Sequence, residues 1–219
     1  MTSDSRDGLA LRIGSTVQRT EAEGPGPRFA VWAQGCSIRC PGCFNPHLWG
    51  AKGGRVVDVD DLAQDVMRAA ERDSIEGITL LGGEPFDQAA GFAELATKVR
   101  RAGLSVMVFS GYELTTLEGP NAPESAGTLL AETDILVDGP YRAESPDFAR
   151  PWVGSTNQNF HFLTDRYRHL AARLTSFHDR VEIRVGMDGS VAINGWAPVD
   201  QLDNLLAGVT PLAGRGRDR

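Results

Sequence analysis

The sequence has no fourth cysteine. Its 219 residues hold three, Cys36, Cys40 and Cys43, all within Trp32 to Trp49, WAQGCSIRCPGCFNPHLW. So small and clustered a set is no disulfide framework and suits metal or redox chemistry. No apolar run is long enough to cross a bilayer. The N-terminus, MTSDSRDGLALRIG, carries acidic residues and lacks the apolar stretch of a secretory signal. The expected location is therefore cytoplasmic. Positive charge is not in excess: the formal net charge is −7. That argues against nucleic acid or an anionic membrane as partner, since both reward a basic surface. There is no phosphate-binding glycine loop, no Ser-His-Asp arrangement and no internal repeat. His161, His169 and His178 lack metal-ligand spacing.

What is present begins with a hydrophobic fraction of 41%, enough for a true core, and with 25 glycines, as in glycine-rich α/β folds. Leu9 to Ile13 alternates like a half-buried strand. Glu21 to Arg28 is a Gly-Pro turn. Phe29 to Trp32 is a short strand entering the cysteine loop. Asp58 to Asp73 has helical spacing of Leu62, Val66, Met67 and Ala70, with early aspartates that suit the helix dipole. Gly77 to Leu81 reads as a buried strand, Gln88 to Arg101 as a helix stopped by Gly103, and Leu104 to Phe109 as a strand. Residues 114 to 132 suggest loop and then a short helix. Asp134 to Val137 and Phe160 to Leu163 read as strands around a long loop, 142 to 158, and long loops in compact domains are often functional. Val181 to Val185 and Val191 to Ile193 form a hairpin signal around Asp188-Gly189. Pro198 to Leu206 reads as a closing helix, and GRGRDR as a disordered tail. The alternation of strands and helices predicts an α/β fold with a parallel sheet.

Thiolates at C-x3-C-x2-C can converge on one centre, and they suit iron–sulfur, zinc or Cu(I). A complete cubane takes four cysteines, so here one iron would stay open. Two other readings stand beside it. Cys36, Cys40, Cys43 and His47 could hold zinc, and Cys40-Pro41-Gly42-Cys43 could be a redox dithiol. Gly82-Gly83-Glu84-Pro85 closes a buried strand, where open α/β folds bind ligands. Two glycines let backbone approach a ligand closely, and Glu84 could accept from an ammonium group. Ser110 and Asp138 follow the next two strands, so polar groups would ring one face of the sheet. Asn157 and Gln158 offer amides, although bonding within their own loop is the plainer reading. Trp32, Trp49 and Trp152 could cover the cysteine loop or simply pack.

Cys36-x3-Cys40-x2-Cys43 followed by Gly82-Gly83-Glu84-Pro85 resembles the radical S-adenosylmethionine (SAM) superfamily. QGC, CPGC, SGY, DILVDGPY and GSTNQ resemble its glycyl-radical activating enzymes, from about Leu9 to Tyr167. The resemblance implies a partial (βα) barrel over residues 8–177. A C-terminal hairpin and helix, 178–207, would pack on it, ahead of a tail at 208–219. It implies a four-iron–four-sulfur (4Fe-4S) cluster on Cys36, Cys40 and Cys43, with SAM on the open iron. Gly82, Gly83, Glu84 and Pro85 would contact the methionyl end, and Ser110 and Asp138 the ribose or sulfonium. Reductive cleavage of SAM would yield a 5′-deoxyadenosyl radical that abstracts hydrogen. The implied partners are a glycyl-radical enzyme and an electron donor such as flavodoxin or ferredoxin. Gly42 replaces the aromatic residue many superfamily members carry, as the activating enzymes do. The region after Phe177 has no counterpart in them, which leaves a peptide or small-molecule substrate, and more remotely a zinc-stabilised interaction module, as alternatives.

Overall fold

The computed structural model describes residues 9–187, 189 and 191–195. The closing helix expected at Pro198 to Leu206, the tail and the turn residue Asp188 lie outside these. Among the described residues there are nine strands and four α-helices. Four strands form a parallel centre, β2 (Arg28–Ala33), β4 (Gly77–Gly82), β5 (Ser105–Phe109) and β6 (Ile135–Asp138). Their order in one seven-stranded sheet is β3-β1-β2-β4-β5-β6-β7. The expected sheet was simply parallel, but its flanks are antiparallel: β1 (Ala10–Thr20) against β2 and β3 (Arg55–Asp58), and β7 (Asn159–Phe162) against β6. Parallel neighbours need a crossover, and helices supply it: α1 (Val59–Asp73) before β4, α2 (Ala89–Arg101) before β5, and the short α3 (Leu114–Leu117) and α4 (Ala126–Ala131) before β6.

Alternate strand residues face opposite sides of a sheet. Here Phe29, Val31, Ile78, Leu80, Val106 and Val108 turn to the helices and pack with Leu62, Val66, Phe92, Leu95 and Leu129. Asp58 starts α1 by accepting from Asp60 N–H at 2.7 Å, with Asp60 and Asp61 in the first turn, and Ser74 ends it in the left-handed region. The opposite face carries Met107, Ile135 and Val137, covered by Val153 and by Tyr167 and Leu170 of a 3-10 helix, Asp165–Ser176. Further along, Ala30 and Trp32 meet Leu48. Between these two patches the face stays open as a cavity. β8 (Val181–Val185) and β9 (Val191–Gly195) form a separate antiparallel pair. Among the described residues no helix is long and apolar enough to cross a membrane.

Candidate functional site

The cysteine loop leaves β2 at Ala33 and is closed at its base. Gly35 N–H donates to Leu48 O at 2.8 Å and Cys36 N–H to Trp49 O at 3.3 Å. Gln34 Nε2 donates to Gly50 O at 2.6 Å from inside. Asp87 fastens the first cysteine's flank: Ser37 N–H and Oγ donate to its two oxygens, each at 2.7 Å, and Tyr112 OH to Oδ1 at 3.3 Å. Within the loop Cys43 N–H donates to Cys40 O at 3.1 Å, which folds the second and third cysteines together.

Gly82-Gly83-Glu84 lies directly against this loop. Gly83 N–H donates to Ala33 O at 2.9 Å and Glu84 N–H to Gly35 O at 2.8 Å. Both glycines are required by that approach. Gly82 has φ +105°, and a Cβ there would sit 2.7 Å from the Trp32 Cα. A Cβ on Gly83 would sit 2.1 Å from Gly35 O. Their smallness thus serves contact between two parts of the chain, and both glycines line the cavity as well.

A cavity of about 600 Å3 joins these pieces. Cys36, Cys40, Cys43, Gly82, Gly83, Glu84 and Ser110 all line it. All three cysteines are free and half-buried. Burial pushes the Cys36 and Cys40 thiols up, with backbone N–H donors pulling partly back. Arg39 N–H points at Cys36 Sγ from 3.5 Å and Asn45 N–H at Cys43 Sγ from 3.3 Å. Such donors favour a thiolate, the form that binds metal.

Glu84 is the buried carboxyl of the site, 1% exposed. Phe86 N–H (2.9 Å) and Ser110 Oγ (3.0 Å) donate to its Oε1, and Gly111 N–H (2.8 Å) to its Oε2. Desolvation outweighs these donors, with the Asp87 charge adding to it, and the carboxyl is pushed up to about 7. Ser110 therefore acts on the cavity chiefly through Glu84.

Two expected residues sit elsewhere. Pro85 is buried at the start of a 3-10 turn, Pro85–Gln88, and does not line the cavity. Asp138 is buried with its carboxylate turned away: Leu114 N–H donates to Oδ2 at 2.6 Å and Asn159 Nδ2 to Oδ1 at 3.2 Å. The next residue, Gly139, reaches the cavity instead. Asn157 donates to Pro140 O at 2.7 Å, and Gln158 accepts from the Gly154 and Ser155 N–H groups while also lining the cavity. Trp32 and Trp152 line the cavity; Trp49 does not. Sequence reasoning missed Asp87, although it follows GGEP closely, and missed Ser15, Thr16, Glu23 and the β8–β9 residues that also line the cavity.

Three free cysteine thiols line the cavity, and soft thiolate donors fit an iron–sulfur cluster. A cubane places each thiolate on its own iron, so three thiolates leave one iron open. His47 lines the cavity as well.

The comparisons with known proteins agree. Residues 22–161 match the family described as 4Fe-4S single cluster domain. The chain is 30% identical over 148 residues to an anaerobic ribonucleoside-triphosphate reductase-activating protein of Vibrio cholerae, covering 64% of this chain and 91% of that one. A protein of the same name from Escherichia coli K12 is 31% identical over 147 residues, with the same coverage. A pyruvate formate-lyase-activating enzyme of Listeria monocytogenes is 30% identical over 128 residues, 58% of this chain and 51% of its own.

Proposed function

The chain belongs to the 4Fe-4S single-cluster family and, within it, to the radical SAM activating enzymes, and from that premise we propose that it activates a glycyl-radical enzyme of the anaerobic ribonucleotide reductase type. One observation carries the reading. Three free thiols and a fully buried, hydrogen-bonded glutamate line a single cavity at the carboxyl ends of parallel strands.

Cys36, Cys40 and Cys43 are the residues that would hold the cluster. When bound and reduced, the cluster supplies an electron that splits SAM into methionine and a 5′-deoxyadenosyl radical. The chain's own work is positioning and exclusion. Asp87 and the Gly35–Leu48 closure hold the cysteine loop. Glu84, steadied by Ser110 and Gly111, offers an acceptor for the amino group of SAM. Gly82 and Gly83 set the distance between that acceptor and the loop. Trp32 and Trp152 form apolar wall, which limits water around a reactive carbon. Asp138 ties the end of β6 to Leu114 and Asn159. The sheet would then be the wall of a partial (βα) barrel over residues 8–177, with 178–207 packed on it. Flavodoxin or ferredoxin is the proposed electron donor.

Anaerobic reconstitution tests this. The loaded protein should be brown, make 5′-deoxyadenosine from SAM only with reductant, and raise a glycyl-radical signal in the partner. Absence of 5′-deoxyadenosine from a fully loaded, reduced sample would reject the activity. A second reading has one observation in its favour: β8–β9, outside the family match, also lines the cavity. A peptide or small biosynthetic substrate would then replace the glycyl-radical enzyme. Product formation without any glycyl signal would select it.

A further inference from the structure

The family match stops at residue 161, but the cavity wall does not. Arg184, Ala192, Ile193, Asn194 and Gly195 line the same space as the three cysteines and Glu84. The pair β8–β9 is held there by polar contacts. Asn194 Nδ2 donates to Glu23 Oε1 at 3.1 Å and to Thr20 Oγ1 at 3.0 Å. Gly195 N–H donates to Glu23 Oε1 at 2.8 Å. Glu21 N–H donates to Glu182 Oε1 at 2.7 Å, and Arg180 pairs with Glu21. Glu23 and Asn194 are both buried, at 8% exposure.

The alternation of the pair is inverted relative to simple apolar packing. Its polar residues Glu182, Arg184 and Asn194 face the 19–23 segment. Ile183 and Ile193 are cross-strand partners, as are Val185 and Val191, and all four are exposed. Burial of apolar area therefore does not seat this pair; a specific set of hydrogen bonds does. Arg184 is engaged by Glu182, Asn194 and Arg19 O.

We propose that β8–β9 is a specificity wall of the reaction cavity, latched to Glu23 through Asn194 and Gly195, and that it keeps other hydrogen donors out of that cavity. The role of the cavity rests on the radical SAM reading above; the latch does not.

The test uses full-length protein loaded anaerobically with its cluster. Asn194→Ala should speed hydrogen exchange of the β8–β9 amides about fivefold, the worth of roughly one hydrogen bond. Iron content should be unchanged. Partner-free 5′-deoxyadenosine should rise severalfold, because an opened wall admits other hydrogen donors. Glu23→Gln keeps an acceptor oxygen and should exchange like the wild type, whereas Glu23→Ala should follow Asn194→Ala. Unchanged exchange in Asn194→Ala overturns the latch. Faster exchange with unchanged product, or loss of the cluster, overturns the wall. A wild type that makes no 5′-deoxyadenosine defeats the radical SAM reading itself, and the wall with it, a result distinct from failure in the variant alone.

Discussion

At the scale of single residues, Glu84 sets a pH dependence. Its carboxyl stands at about 7 in the folded chain, above its ordinary value of 4.5, because burial disfavours the charge. Below about 4.5 both folded and unfolded forms carry the proton, so nothing is lost. As pH rises from there to about 7 the unfolded chain releases it first, and stability falls by about 3 kcal/mol before levelling. Glu84→Gln should flatten that part of the stability curve, measured by denaturant unfolding of SAM-free protein. Ligand binding runs the other way. An ionised carboxylate is the better acceptor for an amino group, so the Kd for SAM should rise below pH 7, by up to about tenfold per unit. Ser110→Ala removes one donor to Glu84 and should weaken SAM binding about fivefold, roughly 1 kcal/mol. A calorimetric titration at two pH values checks both. The residues that meet at the cavity, Cys36, Cys40, Cys43, Gly82, Gly83 and Glu84, were legible in the sequence because they fall in dense local patterns. The direction of the Asp138 side chain was not, since a place at a strand end fixes where the backbone runs and leaves the side chain free to turn inward.

Among elements, the contact between the cysteine loop and the end of β4 is the most constrained. Gly83→Ala would drive a methyl group to 2.1 Å from Gly35 O, a backbone atom that cannot step aside. The variant should fold less stably by about 2 kcal/mol or more and lose its cluster, read as iron per chain after reconstitution. Asp87→Ala frees Ser37 and should shorten the lifetime of the cluster toward a chelator while leaving the fold intact; Asp87→Asn, which keeps one acceptor, should lie between. The cores of α1, α2, β4, β5 and β6 fell close to where periodicity places them. Two strands did not. β3 is only four residues long with two exposed positions, and it runs straight into the cap of α1, so it reads as the approach to a helix. β1 continues to Thr20 through Ser15, Thr16 and Gln18, where a cavity on one side removes the apolar alternation that would reveal a strand.

For the whole molecule, the two ends of the sheet have opposite tasks. The carboxyl end is open and lined by glycine and polar groups. The other end is closed by Arg28, which is fully buried. Its guanidinium donates to Thr79 Oγ1 at 2.6 Å, Ser105 Oγ at 3.1 Å, Pro25 O at 3.2 Å and Ile78 O at 2.5 Å. It thereby ties β2, β4 and β5 in one place, and burial lowers its pKa from the ordinary value. Arg28→Ala strands several buried acceptors, and a loss of about 3 kcal/mol or more follows, seen as a lower Tm with cluster stoichiometry unchanged in the folded fraction. No local pattern announces this hub, because its partners come from strands far apart in the chain. Sheet order is hidden for the same reason: antiparallel flanks depend on which edges meet, and short apolar runs do not encode that.

The backbone clasp between Gly35 and Glu84 has a consequence for protein engineering. Residues 50 to 76, which carry β3 and the core helix α1, lead into that clasp. A graft there of different length, provided it returns β4 in register with β2, should preserve the clasp. A slip of one position would swap Gly83 with Glu84 and point the acceptor at the wrong side, so chimaeras built across this junction will be sorted by parity.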